Sequence, residues 1–182
     1  MYVITAVLAL SLAVIVERTW LYWFRWRLPS GRVEASLSSG DASGAQSHAG
    51  HHPSARLIEA GAPAADVDAC WDAMGTVASL VESDVRSRVS YLAAAGNVAT
   101  MLGLLGTVYG LIFAFSGLDA ASAVERTSRL SEGIGAAMTT TAWGLIVGIP
   151  ALAAHAVLDG RASRILAECE SIAAHVALSK RS

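Results

Sequence analysis

Two stretches of this chain carry no formal charge. No Asp, Glu, Lys or Arg lies between Arg88 and Asp119, and none lies between Glu132 and Asp159. Each gap is longer than the roughly 20 apolar residues that carry a helix across a bilayer. Backbone in lipid must satisfy its own N–H and C=O groups, so a run of this kind reads as a spanning helix. The chain is 54% hydrophobic and 15% charged, against about 25% charged in ordinary soluble domains. An all-α integral membrane protein with more than one span is expected.

A third, shorter uncharged run covers residues 1–16. No basic residue precedes it and no small-x-small cleavage site follows it, so it reads as a retained helix rather than a secretory signal. It leads into "ERTWLYWFRWR", where Trp20, Tyr22, Trp23, Phe24 and Trp26 form an expected aromatic belt followed by Arg25 and Arg27. That is the end of a span at a membrane surface. Sixteen residues reach only about 24 Å as a helix, so the span is expected to take in residues 17–24. The expected spans are thus 1–24, 92–116 and 133–157.

Orientation follows from Lys and Arg. Arg25, Arg27, Arg32, Arg56, Arg86 and Arg88 follow the first span, and Arg161, Arg164, Lys180 and Arg181 follow the third. Only Arg126 and Arg129 lie between the second and third spans. The positive-inside rule puts the N-terminus outside, the first loop and the C-terminus in the cytoplasm, and residues 117–132 in the periplasm. Cys70 and Cys169 then lie on the reducing side as free thiols. A net charge of −2 gives no reason to expect nucleic acid as a partner.

Within the cytoplasmic region, residues 25–91, the stretch 29–65 is rich in Gly, Ser, Ala and Pro and reads as a flexible loop. His48, His51 and His52 lack a clustered acidic or Cys ligand, so a solvated linker is favoured over a metal site. From Asp66, a candidate N-cap, Val67, Trp71, Met74, Val77, Val81 and Val85 recur at helical steps. No Pro intervenes between Pro63 and Pro150. This predicts one unbroken helix of about 50 residues running into the second span. Residues 158–182 read as a cytoplasmic C-terminal helix.

The two uncharged spans carry stripes of small and polar residues. Asn97, Thr100, Gly103 and Thr107 follow helical spacing, with Gly103, Gly106 and Gly110 on an overlapping face. Gly133, Ala137, Thr141, Gly144 and Gly148 form the second stripe, and Thr140 adjoins it. Small residues let membrane helices approach closely, and threonines hydrogen-bond across them. Helix packing is therefore the simpler reading of Gly103, Gly106, Gly110, Gly144 and Gly148. Pro150 is expected to kink the third span or free a carbonyl. Neither span holds an Asp, Glu, Lys or Arg, whereas proton-driven machines place an ionisable group in the membrane, so conduction requires a borrowed one. No catalytic constellation, phosphate loop or metal motif is present. An enzyme is not expected, nor is a cofactor or a metal.

"GLLGTVYGLIFAF" and "LSEGIGAAMTTTAWGLIVGIPALAAH", with "ER" after the first span, resemble the MotA/TolQ/ExbB proton channel family, and its ExbB/TolQ branch in particular. The resemblance is dense over about residues 96–157. It implies a homo-oligomeric ring, typically a pentamer, in the bacterial inner membrane. It also implies a single-span ExbD/TolR-like partner whose aspartate carries the proton, and a TonB- or TolA-like energy transducer. The work implied is on the cell envelope or in outer-membrane transport, driven by the proton-motive force. Thr107 and Thr141 match the family's pore threonines. Thr100, Asn97 and Thr140 would extend the pathway.

One position departs from the pattern. Where many relatives carry a glutamate at the start of the third span, this chain has Ala136. Glu132, one turn earlier, is the candidate for the outer pore mouth. Ala136 also motivates the alternative, a non-conducting oligomeric membrane scaffold.

Overall fold

The computed structural model describes residues 2–26, 28–116 and 122–180, all in helices and short connections. The helices are α1 (Tyr2–Trp20), α2 (Ser30–Ser38), α3 (Ala42–Ala49), α4 (Ser54–Gly61), α5 (Val67–Arg86), α6 (Val89–Ser116) and α7 (Ala123–Leu178), and a π-helical turn (Leu21–Arg25) follows α1. Among the described residues, three helical stretches are long and apolar enough to cross a membrane: Val3–Arg25, Val67–Ser116 and Ala123–Leu178. The chain divides into two compact units, residues 1–16 with 88–156, and residues 17–87 with 157–182.

In the first unit, α6 and the matching part of α7 pack antiparallel through their small residues. Gly96, Ala99, Gly103, Gly110 and Ala114 are buried on α6, and Gly133, Ala137, Gly144, Val147, Gly148 and Ala151 on α7. Ile4 of α1 joins Ala99 and Val147 in one cluster, flanked by Val7, Leu8 and Leu102. Large apolar side chains point the other way: Met101, Leu104, Leu105, Tyr109, Ile112, Phe115, Met138 and Ile149 are all exposed. A helix that puts glycine inside and leucine outside has a lipid or protein surround rather than water.

The second unit has a conventional apolar core. Leu57 and Ile58 of α4, Met74, Val81 and Val85 of α5, and Ile165, Ile172 and Val176 of α7 are buried. Asp66 caps α5, its carboxylate accepting from the Ala69 N–H at 2.8 Å. The Lys180 ammonium donates to the Ala62 carbonyl at the end of α4, at 2.6 Å.

Several expectations are corrected. Residues 29–65 are not an irregular loop: α2, α3 and α4 occupy most of them, and Val33, Leu37, Ala45, Ala49, Leu57 and Ile58 are buried. The Gly, Pro and Asp residues are punctuation between short helices. Pro29 and Pro53 precede α2 and α4, Asp41 caps α3 by accepting from Gly44 N–H at 2.9 Å, and Gly40 and Gly50 take positive φ where α2 and α3 end. Helices of eight or nine residues are too short to register in a periodicity window.

The long helix into the second span is broken. α5 ends at Arg86 and α6 begins at Val89, with Arg88 at φ +64°. Within the expected connection 117–132 the chain is already helical from Ala123, where α7 starts and the Ser122 hydroxyl accepts from Glu125 N–H at 3.2 Å. That Ser-x-x-Glu spacing is a capping-box signature. Residues 117–121 lie outside the described residues. Finally, Tyr22 of the expected aromatic belt is fully buried.

Candidate proton pathway

The approach of α6 to α7 is set by residues that lack side chains. A Cβ placed on Gly103 would stand 3.1 Å from the Gly144 Cα and 3.3 Å from the Thr140 carbonyl oxygen. One on Gly144 would stand 2.8 Å from both the Ala99 carbonyl oxygen and the Gly103 Cα. Gly110 lies against Ala137, Gly106 against the Thr140 hydroxyl, and Gly148 against the Thr100 hydroxyl. No room for a methyl group remains along this seam.

The threonines sit along and beside it. Thr141 Oγ1 donates across the seam to the Gly103 carbonyl at 3.3 Å and lies 3.4 Å from the Ala137 carbonyl of its own helix. Thr107 Oγ1 donates to the Leu104 carbonyl at 2.6 Å. Thr100 and Thr140 likewise return to their own helices, at the Gly96 and Ala137 carbonyls, 3.0 and 2.9 Å away. A hydroxyl bonded to a carbonyl keeps its lone pairs for a further donor, so these side chains can still accept. The structure thus brings Thr100, Thr140 and Thr141 to the α6–α7 seam with Gly103, Gly106, Gly110, Gly144 and Gly148. Asn97 is exposed on α6.

Glu132 and Ala136 are both exposed, on the third and fourth turns of α7, Glu132 beside a shallow surface formed with Val124, Thr127, Ser128 and Ser131. Pro150 lies within α7 on an exposed face and takes no part in the seam. Having no N–H, it leaves the Ile146 carbonyl without its usual helical donor.

Three polar side chains make bonds that the sequence did not show, His155 within the first unit and Arg18 and Tyr22 within the second. His155 Nδ1 donates to the Val89 carbonyl at 3.0 Å, which fixes its tautomer because a carbonyl only accepts. Arg18 is almost fully buried and donates to the Ser87 hydroxyl at 2.8 Å and the Asp84 carbonyl at 3.4 Å. The Tyr22 hydroxyl donates to the Val85 carbonyl at 2.5 Å. A lone His in an uncharged run, and an Arg followed four residues later by Tyr, were the available signals.

His52 is buried rather than solvated. The Ser54 N–H donates to its Nδ1 at 3.2 Å, so Nε2 carries the proton, 3.5 Å from the Glu168 carboxylate. Burial, with the Arg161 guanidinium nearby, pushes the ring down to about 4 despite that carboxylate.

Residues 49–171 match the MotA/TolQ/ExbB proton channel family. The chain belongs to this family. It is 37% identical over 99 residues to the biopolymer transport protein exbB1 of Vibrio cholerae, covering 54% of this chain and 43% of that protein. It is 32% identical over 110 residues to the Tol-Pal system protein TolQ of Haemophilus influenzae, covering 60% of this chain and 48% of TolQ. The TolQ of Pseudomonas aeruginosa is 31% identical over 109 residues, covering 57% and 46%. The chain spans about half the length of the curated relatives it matches. With three helices able to cross a membrane, this member of the family is a multi-pass inner-membrane protein.

Proposed function

We propose that this chain is the ring-forming subunit of a proton-driven stator, working with a single-span ExbD/TolR-like partner to convert proton-motive force into work on the envelope or transport across the outer membrane. The carrying observation is that α6 and the facing part of α7 hold threonines but no ionisable acid or base between Arg88 and Asp119 or between Glu132 and Asp159 apart from His155. His155 itself donates to the Val89 carbonyl at 3.0 Å. Threonine does not titrate in the usable range, so a proton in transit needs a carboxylate from another chain. Thr107 and Thr141 would present hydroxyls to it in an otherwise apolar constriction. The relatives named for biopolymer transport and the Tol-Pal system support this reading.

The spans 92–116 and 133–157, the N-out, C-in orientation and the pentameric ring belong to the same proposal, as does a TonB- or TolA-like transducer. The test is Thr107→Val with Thr141→Val, read by energy-dependent uptake across the outer membrane in cells carrying the cognate partner. Coupled work should be lost while the oligomer still assembles. Full uptake in the double variant would overturn the role of the hydroxyls. Ala136, where many relatives hold a glutamate, favours the second reading of a non-conducting scaffold. Proton flux through the purified complex in vesicles separates the two.

A further inference from the structure

Arg161 is the unusual cation of the second unit. It is half-buried, its Nε is fully enclosed without a hydrogen-bond partner, and its guanidinium lies 5.8 Å from the centre of the Trp23 ring. Among the described residues no carboxylate sits at ion-pair distance from it, whereas Arg56 reaches Asp84 at 2.5 Å and Arg86 reaches Glu82 at 3.3 Å and Asp159 at 3.1 Å. A partly desolvated guanidinium is costly unless an anion compensates it. The neighbouring segment supplies none, since between Glu17 and Glu34 the chain has four arginines and no acidic residue, and the Glu168 carboxylate lies 3.5 Å from His52 Nε2 instead.

The aromatic residues say where the missing anion would come from. Trp23, Trp20 and Phe24 are exposed, the last two stacked at 4.8 Å. Exposed indoles at the end of an apolar span lie at headgroup depth. Arg161 is one helical turn beyond residue 157, the expected end of the third span. We infer that Arg161 and Trp23 form a binding site for a phosphate group at the membrane surface, filled by the headgroup of an anionic phospholipid, with the Trp23 and Phe24 rings against its acyl chains. The cytoplasmic leaflet is the anionic one, so the site rests on the orientation proposed above.

The full chain in detergent, examined by native mass spectrometry during titration with phosphatidylglycerol or phosphatidylcholine, tests this without reference to coupling or orientation. The wild type should retain phosphatidylglycerol in preference. Arg161→Gln should lower its retention about fivefold, the effect of one arginine at a charged surface, and leave phosphatidylcholine unchanged. An unchanged preference in R161Q overturns the site. Inorganic phosphate at millimolar concentration should not displace the lipid. Displacement, with the two lipids retained equally, would make the ligand a soluble phosphate and overturn the lipid assignment. If R161Q loses its helical spectrum, Trp23→Leu carries the test: it should reduce the preference, and full retention overturns the proposal.

Discussion

Gly103 of α6 and Gly144 of α7 meet backbone to backbone, so a Cβ on Gly144 would stand 2.8 Å from the Gly103 Cα. Real Cβ contacts are not that short, and the atoms it would strike are main chain, which cannot turn aside. Gly144→Ala should therefore force the helices apart and cost about 1–3 kcal/mol, the usual range for overpacking. Gly103→Ala, with its nearest contact at 3.1 Å, should cost less. Gly135 has nothing within 4 Å of a built Cβ, so Gly135→Ala should be neutral or gain up to about 1 kcal/mol from helix propensity. Thermal unfolding of the three variants in detergent gives the ordering.

Loss of coupling in the threonine variants has to be distinguished from loss of fold. Thr141 makes only long bonds, at 3.3 and 3.4 Å, to carbonyls that are otherwise helical acceptors. Thr141→Val keeps the shape and removes bonds worth on average about 0.6 and at most about 1.7 kcal/mol in a membrane. The variant should melt within a few degrees of the wild type while failing in energy-dependent uptake. A large fall in melting temperature would show that the hydroxyl is structural.

Tyr22 and Arg18 occupy the carbonyls where α5 ends. Tyr22→Phe leaves the Val85 carbonyl, now bonded at 2.5 Å, without that partner, and should cost about 1–3 kcal/mol. Hydrogen exchange should speed up in residues 84–87 before it changes in α4. Uniform exchange across the unit would show that the bond has no local role.

His52 makes stability depend on pH. Its folded pKa is lowered from 6.5 to about 4, so between those values the unfolded chain binds the extra proton and the folded one does not. Stability is complete above about pH 6.5 and falls as pH drops toward 4, by up to about 3 kcal/mol. Glu168 and Arg161 face the ring and oppose each other in sign, leaving burial as the main cause. Melting temperatures from pH 7.5 to 5 should decline more steeply for the wild type than for His52→Gln. Parallel slopes would remove His52 as the cause.

The helix seam was legible in outline. The glycine and threonine spacing on residues 97–110 and 133–148 marked the surfaces that pack, because a stripe at helical period states which face is small. It did not show that Thr140 lies over Gly106, or that Thr141 reaches the Gly103 carbonyl. Those depend on the register between two helices, and their own spacings leave it open.

The sequence by itself determined which segments leave water. Transfer into an apolar environment adds up residue by residue, so long uncharged runs declare themselves without knowledge of any partner. Tertiary structure decided the rest: the break at Ser87–Arg88, the three short helices within 29–65, and the burial of Arg18, Tyr22 and His52. The partners that make those features possible lie far off in the chain. Tyr22 serves a carbonyl 63 residues away, and Arg18 serves one 66 away. A hydrogen bond of that kind has no local sequence signature, because neither residue's neighbours carry information about the other.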